Sequence, residues 1–194
     1  MAGRIKGAVF REYVGWLARA LGQKQLDQIV SRVTGEARRT FAIGQPHLGI
    51  LAASWYDASS VHGFLDALAE GRSDAEMARL ATEGARGALE VTLTGVHRAV
   101  LRVVASPDLH ARFAQRLWNT YYEDGEVISV RAASGSQRIA YRKWRSHHPA
   151  LCRITTASDL VVFPLMGLRD VHVSQLSCIA NGDGECAHLV EWSA

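Results

Sequence analysis

The sequence predicts an α/β protein of the α+β kind, an N-terminal helical bundle packed on a C-terminal antiparallel sheet of about four strands. Three observations predict it. Apolar residues recur at helical spacing through the first two thirds of the chain. The apolar period changes to two after Asp124-Gly125. The tail then reads strand, strand, helix, strand, strand.

The helical part comes first. Phe10, Val14, Leu17 and Leu21 make one stripe, and Leu26, Ile29, Val30 and Val33 make a second, with Gly22 between them. Thr40 to Ala53 reads as a loop with Gly44, Pro46 and Gly49. Val61, Phe64, Leu65 and Leu68 restore helical spacing, and Gly71 is placed to cap that helix. Ser73-Asp-Ala-Glu76 is a capping box, so a new helix starts there. Its small residues Gly84, Ala85, Gly87 and Ala88 let another helix approach closely. Val91 to Val104 reads as a buried helix. Ser106-Pro107 supplies an N-cap and an N1 proline for a helix with Leu109, Phe113, Leu117 and Tyr121 on one face.

The sheet part follows. Val127 to Ala132 and Arg138 to Trp144 are strands joined at Ser134-Gly135-Ser136. His147-His148-Pro149 opens a helix that Pro164 and Gly167 end. Val171 to Ala180 and Glu185 to Trp192 form a second hairpin turning at Asn181 to Gly184. The whole reads as a single domain over 1–194. It has a helical pair over 1–40, a helical layer over 57–122 and a sheet-forming part over 125–194.

Composition narrows the function classes. The net charge of +3 is mild, and its arginines are spread out rather than striped, which argues against a nucleic-acid partner. No secretory leader or membrane span is legible, so a cytoplasmic setting is expected, where disulfides are uncommon. There is no Walker loop, dinucleotide fingerprint, His-Glu-x-x-His or nucleophile elbow, so neither a nucleotide nor an enzymatic reaction is expected.

The informative constellation is three cysteines in the last quarter of the chain. Centring the second hairpin near Gly182 places Cys178 opposite Cys186, at about 5 Å between Cβ atoms. Cys152 lies near the start of the preceding helix, a position that favours thiolate. Three thiols from a helix and a hairpin can converge on a tetrahedral metal such as zinc. The fourth ligand is open between His148, one helical turn before Cys152, and His188, two residues beyond Cys186 on the same strand face. The alternative is that the cysteines fill core space.

The segment Val171 to Trp192, with Cys178, Gly182-Asp183 and Cys186, resembles the closing hairpin of the vinyl-reductase-type domain. That resemblance implies the fold shared by the sensory domains of bacterial activators of aromatic catabolism and by TRAPP-type trafficking subunits. It implies a zinc held by three cysteines and a glutamate. Cys152, Cys178 and Cys186 match those cysteines, spaced by 26 and then 8 residues. The glutamate position is Gln175, a neutral amide and a poor zinc ligand. The chain also resembles a protein family abundant in myxobacteria, through Lys6 to Phe10, Arg116 to Tyr122 and the hairpin. Lys6 to Phe10 is also similar to the opening of haem nitric-oxide-sensing domains. Their Tyr-x-Ser-x-Arg haem-contact motif is absent, and His97 reads as a core histidine, so no haem is expected.

These readings point to a small-molecule-sensing or regulatory binding domain. Its apolar, aromatic pocket would lie between helices and sheet, walled by Phe113, Leu117, Trp118, Tyr121, Tyr122, Tyr141 and Trp144. The expected ligand is a small hydrophobic or aromatic molecule. The resemblance implies a homodimer, and the signal would pass to an output protein. A TRAPP-like dimeric interaction scaffold without a small ligand is the second reading, and a tetrapyrrole-related enzyme or carrier the third.

Overall fold

The N-terminal half is built on close helix contacts that its small residues permit. The computed structural model describes residues 3–92 and 106–193. A short strand, β1 (Arg4–Lys6), runs directly into α1 (Gly7–Leu21), and α2 (Gln23–Arg32) follows after Gly22 at φ +86°. Both predicted stripes face inward, with Phe10, Val14, Leu17, Leu26, Ile29 and Val30 buried. After two short 3-10 turns, β2 (Trp55–Asp57) pairs antiparallel with β1, setting Ile5 opposite Tyr56. This two-stranded sheet was not legible, because three-residue strands have no readable period.

Next come α3 (Ala58–Ala69) and α4 (Asp74–Thr92). The capping box forms: the Ser73 amide donates to Glu76 Oε2 at 2.8 Å and the Glu76 amide donates to Ser73 Oγ at 3.3 Å. The small face of α4 receives α1. A Cβ on Gly84 would lie 2.2 Å from the Tyr13 ring, and one on Gly87 would lie 2.1 Å from the Trp16 ring. Most of the expected buried helix Val91–Val104 lies outside the described residues. No helix among the described residues is long and apolar enough to cross a membrane.

The C-terminal half carries α5 (Pro107–Tyr121), β3 (Glu126–Ala133), β4 (Ser136–Arg142), α6 (Pro149–Leu165), β5 (Arg169–Ser177) and β6 (Glu185–Ser193). All four strands are antiparallel in the order β3-β4-β6-β5, so the fold class is as expected. Ser106 caps α5 by accepting from the Leu109 amide at 3.2 Å.

The face of α5 differs from expectation. Ala114 and Trp118 are buried, whereas Phe113 and Leu117 are 43% and 49% exposed. A repeat of four drifts around a helix of 3.6 residues per turn, so the 109-113-117-121 row does not keep to the core. One buried cluster runs through both halves, from Ile5 and Phe10 to Trp144, Cys186 and Val190.

Candidate functional site

The thiol constellation assembles at the junction of α6 and the β5–β6 hairpin. Ser177 pairs with Ala187, so Cys178 leaves β5 opposite Cys186. The turn is tied by Asp183 Oδ2, which accepts the Cys178 amide at 2.8 Å, and by Gly182 at φ +90°. Cys152 sits in the first turn of α6, its amide donating to the His148 carbonyl at 3.0 Å. All three cysteines are free and buried.

The structure brings them together with a histidine. The donor atoms of His147, Cys152, Cys178 and Cys186 all lie within 4.8 Å of one another. The Cys178 and Cys186 sulfurs are 3.8 Å apart, and Cys178 Sγ is 3.6 Å from His147 Nε2. Two thiolates on one ion, each at about 2.3 Å in tetrahedral geometry, stand about 3.7 Å apart. Those two separations therefore match donors around a common centre. Three sulfurs and one imidazole are the donor set of a soft or borderline transition metal, not of calcium or magnesium.

The charge in this cluster is unevenly held. The Cys186 thiol is acidified by hydrogen bonds from Cys152, from His147 and from the Ile179 amide, against the opposing effect of burial. Cys152 is pushed the other way, chiefly because its proton is used in the bond to Cys186, and burial adds to it. Burial raises Cys178. The three thiols are therefore pushed in different directions by one another and by burial.

None of the three fourth-ligand candidates is the histidine that approaches. His148 is the N-cap of α6: its Nδ1 accepts the Ala150 amide at 3.1 Å while Nε2 faces Asp66 at 3.1 Å. His188, 2% exposed, is bonded to Asp159 on α6. Gln175 lies exposed on β5, opposite His188. The histidine that approaches the sulfurs is His147. A signal for it was available: Pro149 at N1 makes His148 the cap, which commits that ring to the helix end and leaves His147 just outside it.

The predicted pocket residues separate. Trp118, Tyr122, Tyr141 and Trp144 pack ring on ring, with centroids 4.0 Å apart for Trp118–Tyr122 and 4.8 Å for Trp118–Tyr141. The Trp118 indole donates to the Asp124 carbonyl at 2.7 Å. These four rings fill the space between α5 and the sheet. Tyr121 is half-buried at their edge, and Phe113 and Leu117 point outward. The described residues do form an open groove of about 590 Å³ between α1 and α4, lined by Trp16, Arg19, Glu83, Arg86, Gly87, Glu90 and Val91.

No family model and no curated protein matches the chain. Solved structures do. The Fe(II) unliganded H-NOX protein from K. algicida aligns with TM-score 0.70 over 98% of this chain and 97% of its own, at 14% identity. The fold is that of the H-NOX proteins. The I5F mutant of T. tengcongensis H-NOX aligns with TM-score 0.67 at 10% identity, covering 98% of each chain. The S. oneidensis H-NOX protein in the Fe(II)NO ligation state aligns with TM-score 0.62 at 11% identity, over 98% of this chain and all of its own.

The H-NOX likeness corrects two expectations. The vinyl-reductase-type resemblance does not describe the fold, because H-NOX structures match the whole chain. A Cys-turn-Cys hairpin reports local geometry, which does not by itself fix the architecture around it. The expectation of no haem also falls, since H-NOX structures are described in Fe(II) and Fe(II)NO states and for heme distortion. Zinc gains no support from these neighbours.

Among the described residues, no histidine stands free to serve as a haem axial ligand. An axial histidine must face an open slot. His47 is bonded to the Arg11 carbonyl, His62 to the Ser146 carbonyl and His110 to Gln137. His147, His148 and His188 are placed as above, and His172 is exposed on edge strand β5. The remaining histidine, His97, lies outside the described residues.

Proposed function

We propose that this chain is a sensory binding domain on the H-NOX fold whose working centre is the cluster of His147, Cys152, Cys178 and Cys186, which takes up a thiophilic divalent metal ion. The convergence of those four donor atoms within 4.8 Å carries the reading. Such an ion would join the start of α6 to the turn of the β5–β6 hairpin. Occupancy would therefore change how helix and sheet pack, and a two-state packing of that kind can be read by a partner protein. His147 would supply a nitrogen donor and Cys152, Cys178 and Cys186 the sulfurs, with any thiol protons released on binding. No catalytic step is assigned to the chain.

Cobalt(II) titration of the reduced protein tests this reading. One equivalent should bind, with thiolate charge-transfer absorption and tetrahedral ligand-field bands. Cys178→Ser should abolish tight uptake. Unchanged uptake in that variant would remove the centre from consideration.

One observation favours a second ligand. The whole-chain likeness to Fe(II) and Fe(II)NO H-NOX proteins supports a haem-based reading in which the sensed molecule is a small gas. His97 would then be the ligand to test. Reconstitution with haem should give a Soret band at one haem per chain that His97→Ala removes. A Soret band indifferent to that substitution would count against it.

A further inference from the structure

Asp124 is a carboxylate buried to 3% exposure in the loop between α5 and β3. Its Oδ2 accepts the Ser146 amide at 2.8 Å and its Oδ1 accepts the Ser146 hydroxyl. The same hydroxyl accepts the Trp144 indole N–H at 3.0 Å. The Ser146 carbonyl meets His62 Nε2 at 3.0 Å. Arg145 Nε stands 3.9 Å away on the solvent side.

The residue that follows this clamped serine is His147. Its amide donates to the Trp144 carbonyl at 3.2 Å, and its ring meets the Trp144 ring edge-on at 5.2 Å. The turn that aims the imidazole at the sulfurs is therefore held from inside by one carboxylate.

The other side of Asp124 is closed by the N-terminal segment. A Cβ on buried Gly3 would fall 2.5 Å from Asp124 Oδ1 and 2.6 Å from its Cγ. The Gly3 carbonyl accepts the Ala58 amide at 3.0 Å, and β1 begins at the next residue. Arg4 forms an ion pair with Glu123, and Ile5 bridges to Tyr122. Burying a carboxylate is unfavourable unless its hydrogen bonds are satisfied, and Asp124 finds its short bonds on the turn before His147.

We propose that Asp124 is a positioning residue that couples the seating of the N-terminal strand to the metal–thiol centre. With β1 seated, Gly3 covers Asp124, Asp124 fixes Ser146, and His147 is held as the fourth donor. With β1 displaced, Asp124 loses its lid and the imidazole loses its aim, leaving three sulfurs. The inference rests on the metal–thiol reading above and adds a regulatory input from a distant part of the chain.

Cobalt(II) titration of the full chain tests it in four variants. Gly3→Ala pushes on the carboxylate, Asp124→Asn turns a donor toward the Ser146 amide, and Ser146→Ala removes only the hydroxyl. Cys178→Ser tests the centre itself. Gly3→Ala and Asp124→Asn should bind about tenfold or more weakly, the usual scale for a residue that orients a ligand. At saturation their thiolate charge-transfer band should persist while the ligand-field bands shift, as solvent replaces nitrogen. A role in stability alone would weaken binding without moving the saturated spectrum, and that result overturns the proposal. So does wild-type affinity in both variants. Should far-UV circular dichroism show either variant unfolded, Ser146→Ala decides by the same spectral shift or its absence. A wild-type protein that takes up no cobalt, or a Cys178→Ser protein that binds normally, defeats the centre and the coupling together. Loss of uptake in Cys178→Ser with a normal Gly3→Ala defeats the coupling alone.

Discussion

Asp159 on α6 is hydrogen-bonded to His188 on β6, and the pair is buried across the same helix–strand interface that Cys152 and Cys186 share. On the helix the two contacts are seven residues apart, and on the strand they are two apart. Helix α6 is thus fixed to the central strand by an ionisable pair at one point and by a thiol contact at another. Removing one member leaves the other's buried polar group without its partner, at a cost of about 1–3 kcal/mol. Asp159→Ala should show that loss in urea unfolding followed by circular dichroism. The double change Asp159→Leu with His188→Leu should recover most of it. Equal losses in single and double variants would contradict the assignment.

The aromatic cluster gives an unequal pair of outcomes. Trp118→Ala removes a ring that touches Tyr122, Tyr141 and Trp144 and should cost about 3–5 kcal/mol. Phe113→Ala and Leu117→Ala act on exposed side chains and should each stay within about 0.5 kcal/mol. Chemical denaturation of the three variants checks the division of α5 into an inner and an outer face.

Gly84 offers a test of helix approach. Alanine is ordinarily the better helix former by about 1 kcal/mol. Here its Cβ would meet the Tyr13 ring at 2.2 Å, and overpacking of this kind costs about 1–3 kcal/mol. Gly84→Ala should therefore lower the thermal midpoint despite its propensity gain. A raised midpoint would show that α1 stands farther from α4.

Alkaline titration should report on three buried tyrosines. Burial raises the phenols of Tyr13, Tyr122 and Tyr141 above their ordinary value near 10. A group whose folded pKa is raised gives stability that is complete below the unfolded value and is lost as pH climbs toward the folded one. Absorbance near 295 nm should show Tyr13, Tyr122 and Tyr141 ionising only with cooperative unfolding above about pH 10.

Much of this architecture was legible because it is written in period and punctuation. Gly22, the Ser73–Glu76 box, Ser106-Pro107 and the Gly182 turn each mark a boundary where the structure has one. The three cysteines were legible as a group because one turn and one helix start suffice to bring them near. What escaped depends on contacts between distant segments. His147 acquires its role only when Asp124 and Trp144 clamp the turn before it, from 23 and 3 residues away. Asp159 reads as an ordinary helix-surface acid until His188 faces it. The vinyl-reductase-type resemblance rests on a single hairpin, whereas the Lys6–Phe10 similarity to haem nitric-oxide-sensing domains agrees with the observed fold.

The strand order sets a sequence of assembly. Strands β5 and β6 are neighbours along the chain, whereas β6 reaches β4 only across the whole of α6 and β5. A local hairpin closes in microseconds, and pairings between remote segments come later because more chain must be brought together. On that account the Cys178 and Cys186 sulfurs are expected to meet first, as a two-thiol claw on an unfinished protein. The third sulfur and the imidazole arrive only when helix and turn dock, so an ion captured early would template the docking that completes its own cage.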